Sequence, residues 1–200
     1  MITLMTMKME AYVLSPTPTP WGDYGKILVH GMTSHLARYD GLLQLERAGS
    51  RFPAITQPGL GHIVVNEAVR AFLAARMPAL EFRQVVLRRC VRLEWADWDI
   101  ALDEPAEYPD SGEPEDYVLS EPHDPMVAAS IGVLWELVPE VVEGIQAPGG
   151  LLRLSAYRGQ HLVRADLDVG LNFVSGEMRD LLLEAAPGCL NFEPARVNNG

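Results

Sequence analysis

Residues 63–85, IVVNEAVRAFLAARMPALEFRQV, are written again at 172–197 as NFVSGEMRDLLLEAAPGCLNFEPARV. Val65, Arg70, Leu73, Pro78, Leu80 and Phe82 fall on Val174, Arg179, Leu182, Pro187, Leu190 and Phe192, with one residue inserted at Cys189. A chain of 200 residues that repeats so long a segment is constrained to two halves of like architecture. Each copy reads as strand, capped helix, strand. A short apolar run ends at Asn66 or Ser175, whose side chains can accept a hydrogen bond from an orphan helix N–H. Glu67 and Glu177 follow in the first turn, where the helix dipole favours negative charge. Val69, Phe72, Leu73 and Met77, and likewise Met178, Leu181, Leu182 and Ala185, make one apolar stripe at helical spacing, so each helix should lie on a sheet. Pro78 and Pro187 stop the helices, because proline lacks the N–H and disfavours helix in its predecessor. Leu80-Glu81-Phe82 and Leu190-Asn191-Phe192 then alternate as half-buried strands do.

A second rhyme runs in the same order. Tyr12-Val13-Leu14-Ser15 is matched by Tyr117-Val118-Leu119-Ser120 at nearly the same offset as the helical repeat. The expected organisation is an α+β half at 9–92, an acidic aromatic linker at 93–116 and a second α+β half at 117–197, forming one compact unit. The expected fold class is α+β with mostly antiparallel sheets, packed helices and a strand–capped helix–strand unit in each half. Between the copies, VVLRRCVRLEW predicts a strand, and Asp124-Pro125 starts a helix running into MVAASIGVLWELV. GLLRLSAYRGQHLVRADLDVG predicts a hairpin about an Arg-Gly-Gln turn.

Negative charge is concentrated in the middle of the chain. Between Leu93 and Leu152 lie 15 acidic residues and no Lys or Arg, while the rest carries 12 acids against 16 bases, so the net charge of −11 sits in that stretch. Phosphate binding needs clustered Lys and Arg, which argues against nucleic acid as a partner. A basic protein partner fits better, since complementary potentials steer encounter. Tryptophan and tyrosine within a polar rim match the composition of binding hot spots. The candidate partner-binding residues are therefore Trp95, Asp97, Trp98, Asp99, Asp103, Glu104, Glu107, Tyr108, Asp110, Glu113, Glu115 and Asp116. Against this stands the reading of a charge run as a solvated loop.

Other motifs carry less. Asp97, Asp99 and Asp103 lack the glycine and terminal glutamate of an EF-hand, and the histidines show no paired metal spacing. Cys90 and Cys189 read as reduced core thiols. No cofactor and no catalytic residue is expected. ILVHGMTSHLARYDGLLQLERAGSRFP at 27–53 resembles the oxyanion-loop region of α/β-hydrolases, where a strand runs into His-Gly and a helix ends at Gly. The better account is an exposed loop feeding a short helix Ser34–Leu45 closed by Gly49. A G-x-S-x-G elbow is missing, and hydrolase remains the minor alternative. GLGH at 59–62 reads as a turn. The opening MITLMTMKMEAYVL has neither a basic n-region nor a sustained apolar core, and no apolar run reaches the ~20 residues of a membrane span. A cytoplasmic address with no membrane partner is the expectation, with self-association as a homodimer left open.

The ending, a strand followed by Ser175-Gly176-Glu177, Leu181-Leu182, Pro187-Gly188 and Leu190-Asn191-Phe192-Glu193-Pro194, resembles that of bacterial immunity proteins of polymorphic toxin systems. The nearest are the Imm11-like (DUF1629) proteins and the related double-CxxCG families. Tyr12-Val13-Leu14 is similar to the same family's start. There is no CxxC here, so the zinc that the second name implies is not expected. The resemblance implies a non-enzymatic protein that binds and neutralises a cognate toxin. A structural or adaptor protein of a phage or secretion system is the alternative.

Overall fold

A computed structural model describes residues 10–33, 38–93, 98–105, 107–108, 112–165 and 171–198. The first half opens with β1 (Ala11–Pro16), α1 (Gly22–His30), β2 (Met32–Thr33), β3 (Gln44–Ala48) and β4 (Ile55–Thr56). It continues through β5 (Ile63–Asn66), α2 (Glu67–Arg76), β6 (Glu81–Gln84) and β7 (Val86–Val91). Two short helices follow, α3 (Pro114–Ser120) and α4 (Pro125–Ile131). The second half comprises β8 (Leu134–Val138), β9 (Glu140–Val142), β10 (Gln146–Ala147), β11 (Leu151–Arg153) and β12 (Leu162–Ala165). It closes with β13 (Asn172–Ser175), α5 (Gly176–Ala185), β14 (Leu190–Pro194) and β15 (Val197–Asn198). The fold is α+β, and most strand pairs are antiparallel.

The two halves repeat strand by strand. One four-stranded sheet runs β4-β5-β8-β6, and the larger sheet contains the corresponding run β12-β13-β1-β14, with β9 added beside β12. Each half also has a three-stranded sheet, β2-β3-β7 or β10-β11-β15, in which the first pair is antiparallel and the second parallel. In chain order the units are β1 to β7 and β8 to β15. Yet β1 lies between β13 and β14, and β8 lies between β5 and β6, so each unit's leading strand completes the other unit's sheet. Such a reciprocal exchange is the geometry of a swapped dimer, contained within one chain.

Register makes the equivalence residue-specific. Leu14 faces Phe192 as Leu137 faces Phe82, and Tyr12 faces Val174 as Trp135 faces Val65. Arg179 stacks over Tyr12 at 4.2 Å and Arg70 over Trp135 at 4.6 Å, pinning each exchanged strand to the other unit's helix. The shared core is built of equivalent pairs: Leu14 with Leu137, Ile55 with Leu162, Val65 with Val174, Val69 with Met178, and Leu73 with Leu182. The caps form as the residue types predict, Asn66 Oδ1 accepting from Val69 N at 2.9 Å and Ser175 Oγ from Met178 N at 3.2 Å.

Several local expectations are corrected. Tyr117 is not the counterpart of Tyr12: Pro114 at the first helical position starts α3, and the strand standing where β1 stands is β8, with Trp135 in place of Tyr12. Residues 27–30 belong to α1 rather than a strand. Over the described part of the expected 34–45 helix, Tyr39 bridges Leu42 and β3 begins at Gln44. The helix after Asp124 stops at Ile131, because Gly132 takes a φ of 80° and releases Leu134 onward to form β8. The expected hairpin is absent, since β11 and β12 join different sheets. Among the described residues, no helix is long and apolar enough to cross a membrane.

Candidate functional site

The acidic segment is an extra layer on the first half, laid over α1. Gly25 allows α1 its position: a Cβ there would lie 1.7 Å from the Pro20 carbonyl oxygen, and only hydrogen leaves room. From α1 and the residue preceding it, Trp21 and Tyr24 reach the segment. Trp21 Nε1 donates to the Leu102 carbonyl at 2.8 Å and Tyr24 OH to the Gly112 carbonyl at 2.9 Å. Trp98 packs among Trp21, Tyr24 and Tyr117, with ring centroids 6.5, 6.0 and 5.5 Å away. Ile27, Leu28, Val91, Leu93 and Val118 complete this small core. Sequence reasoning missed Trp21 and Tyr24, which lie about eighty residues before their partners; their only signal is two aromatics in a short helix region.

This geometry divides the predicted site residues. Trp98 is 9% exposed, so it anchors the segment from within and is no contact for a partner. Tyr108 is 52% exposed and meets Tyr24 edge-on at 5.0 Å, leaving one side of its ring outward. Asp99, Asp103, Glu104, Glu107, Glu113 and Asp116 are exposed, and Glu115 is half-buried. Asp99 Oδ1 accepts from Ala101 N at 3.0 Å and fixes a turn. Among the described residues, Asp99, Asp103, Glu104, Glu107 and Asp116 form no ion pair. Burial, then the charges of Glu113, Tyr108 and Glu115, push the Tyr24 phenol pKa up. Trp95, Asp97 and Asp110 lie outside the described residues.

A second polar constellation went unread in the sequence. Glu136, on the exchanged strand β8, is 1% exposed. It accepts two hydrogen bonds from Arg38, both at 2.8 Å, and lies 2.8 Å from His62 Nδ1. Burial alone would raise its carboxyl pKa, but the Arg38 and His62 contacts outweigh that and hold it at about 2. Beside it, Arg164 and Asn172 of the second half donate to the Gly61 carbonyl at 2.7 and 2.8 Å. The turn at 59–62 thus receives the other half. A glutamate amid β-strand apolar residues carries no sequence signature of its partners, which lie 74 and 98 residues away.

His30 serves as scaffold in this geometry, and His161 is not set up to activate a serine. His30 is buried, its Nδ1 accepts from Gln57 N at 3.4 Å, and burial drives its pKa to about 4, which keeps it neutral. His161 Nδ1 faces both Ser175 Oγ at 3.2 Å and Glu177 Oε2 at 3.8 Å. One nitrogen therefore meets both, whereas activating a serine needs the serine and the orienting acid on opposite nitrogens of the ring. Among the described residues no group of His, Cys, Asp and Glu side chains is arranged to hold a metal ion. Cys90 and Cys189 are free thiols.

No protein-family model matches the chain, and no curated protein or solved structure does either.

Proposed function

We propose that this protein binds a basic protein partner through the acidic segment and neutralises it, as an immunity protein neutralises a toxin. The observation that carries this reading is how the segment is built. Trp98 of the segment turns inward, and Trp21 and Tyr24 bond its backbone to the α1 region. Asp99, Asp103, Glu104, Glu107 and Asp116 are exposed and form no ion pair among the described residues. A loop kept only for solubility needs no such anchoring. A preordered charged surface loses less entropy on association and steers an oppositely charged partner. The toxin as partner comes from the resemblance of the chain's ending to immunity proteins; the basic face comes from the charge.

The test is protection of cells that express a basic toxin domain, with association rates measured over a range of ionic strength. Reversing Asp99, Asp103, Glu104 and Glu107 to lysine together should slow association by roughly ten- to a hundredfold and abolish its salt dependence. Unchanged protection by the quadruple variant would refute the assignment.

A further inference from the structure

The internal repeat offers a comparison that a single-copy fold would not. A groove of about 490 Å³ opens where the end of α2 and the start of β6 meet the β8–β9 corner and the residues before β12. Its floor is Leu80, Val138, Pro139 and Leu162, and its walls carry Glu81, Glu140, Glu177, Arg76 and His161. The ladder registers and the repeat assign each position a counterpart in the other half. Three floor positions keep an apolar residue: Leu80 matches Leu190, Pro139 matches Pro16, and Leu162 matches Ile55. At the walls the counterparts of Glu140, Glu81, His161, Glu177 and Arg76 are Thr17, Asn191, Ala54, Ala68 and Ala185. Asn66 N bonds to Ala54 O as Ser175 N bonds to His161 O, which fixes one of these matches independently. The scaffold thus forms twice, once without the charges, so the charges are not what the fold needs.

Of those charges, some are already engaged. Arg76 lies 3.6 Å over the Phe72 ring, donates to the Phe72 carbonyl at 3.3 Å and stands 3.7 Å from Glu184. Glu81 is held by Arg83 at 2.7 Å. His161 contacts Ser175 and Glu177, and Gln160 donates to Glu140 Oε1 at 3.3 Å. Among the described residues Glu140 and Glu177 each keep one oxygen without a partner beside an apolar floor, a pairing that suits a cationic head on an aliphatic stem. We propose that the groove receives a lysine or arginine side chain of the bound protein, its stem against Leu80, Val138, Pro139 and Leu162 and its head between Glu140 and Glu177. This rests on the reading of a basic protein partner and adds a second contact, separate from the acidic segment.

The probe is n-butylguanidinium, titrated into the isotope-labelled full chain and followed by amide NMR, with n-butanol and butyrate as controls. Saturable shifts confined to Leu80, Glu140, His161, Leu162 and Glu177 are expected with the cation alone. Glu140→Gln with Glu177→Gln, both at the surface, should weaken that binding about tenfold or more, as loss of charge-assisted contacts does. Asp99→Asn with Asp103→Asn and Glu104→Gln should leave it unchanged. Absence of saturable shifts at the groove, equal shifts with butanol, or undiminished binding by the groove variant would each overturn the proposal. Failure of the acidic-segment reading would appear separately, as partner neutralisation that survives charge reversal at Asp99, Asp103, Glu104 and Glu107.

Discussion

Replacing Glu136 with glutamine removes a buried charge from between Arg38 and His62 and leaves the shape of the side chain. Its carboxyl pKa falls from 4.5 to about 2 on folding. At 1.36 kcal/mol per pK unit, that fall corresponds to about 3 kcal/mol of stability. Arg38 is 36% exposed, so solvent screens part of the pair and roughly 2–3 kcal/mol is the expected loss at neutral pH. The sign follows from the depressed pKa: the contribution is complete above pH 4.5, shrinks as pH falls toward 2, and is gone below. Urea unfolding of the wild type and Glu136→Gln between pH 2 and 7 measures it. The difference between the two proteins should be constant above about pH 5 and close progressively in acid. Because 27 acidic residues titrate, the difference and not either curve is informative. Equal midpoints at pH 7, or a gap that persists unchanged to pH 2, would refute the ion-pair account. Glu136→Val installs the residue that stands at the equivalent place, Val13, and should be no more stable than the glutamine variant while Arg38 remains without its partner.

Two further outcomes test the architecture. A protease site inserted after Asp103 and cleaved in the folded protein should leave both fragments co-eluting in size exclusion, because β1 and β8 each sit in the other fragment's sheet; separation without denaturant would contradict the exchange. Asn66→Ala and Ser175→Ala should each cost about 1 kcal/mol in chemical unfolding and add when combined, and a loss confined to one of them would mean the caps are not equivalent.

The strand–helix–strand repeat was legible in sequence because it is local. Capping residue, apolar stripe and proline stop all act within one turn or two of the residues they affect. The exchange of β1 and β8 was not, because those strands' partners lie across the chain: Ala11 pairs with Ser175, and Leu134 with Asn66. Nothing in the alternation of a strand says which sheet it enters. The Tyr117 rhyme misled for a related reason. Four identical letters carry no conformation, and Pro114 three residues earlier decides for helix. The same limit governed the aromatic residues. Their composition suggested an interface, and Trp98 and Tyr108 do form one, but with Trp21 and Tyr24 of the same chain; burial of Trp98 could not be read without knowing where α1 lies.

What distinguishes the halves therefore carries more functional information than what they share. A repeated scaffold satisfies capping, packing and register in both copies, and a residue that serves only those needs should find a like residue at its counterpart. Leu73 and Leu182 do, as do Phe82 and Phe192. Glu136 opposite Val13 fails that criterion, but its hydrogen bonds to Arg38 and His62 explain it as an internal tie. Glu140 and Glu177, opposite Thr17 and Ala68, fail it too, and their described contacts, with Gln160 and His161, lie at the surface. The exposed carboxylates of Asp99, Asp103, Glu104, Glu107 and Asp116 form no ion pair among the described residues. Both sets are acidic, and both lie at the surface. A partner that is basic over a wide face and offers one cationic side chain would satisfy both at once, whereas a small cation would use only the groove.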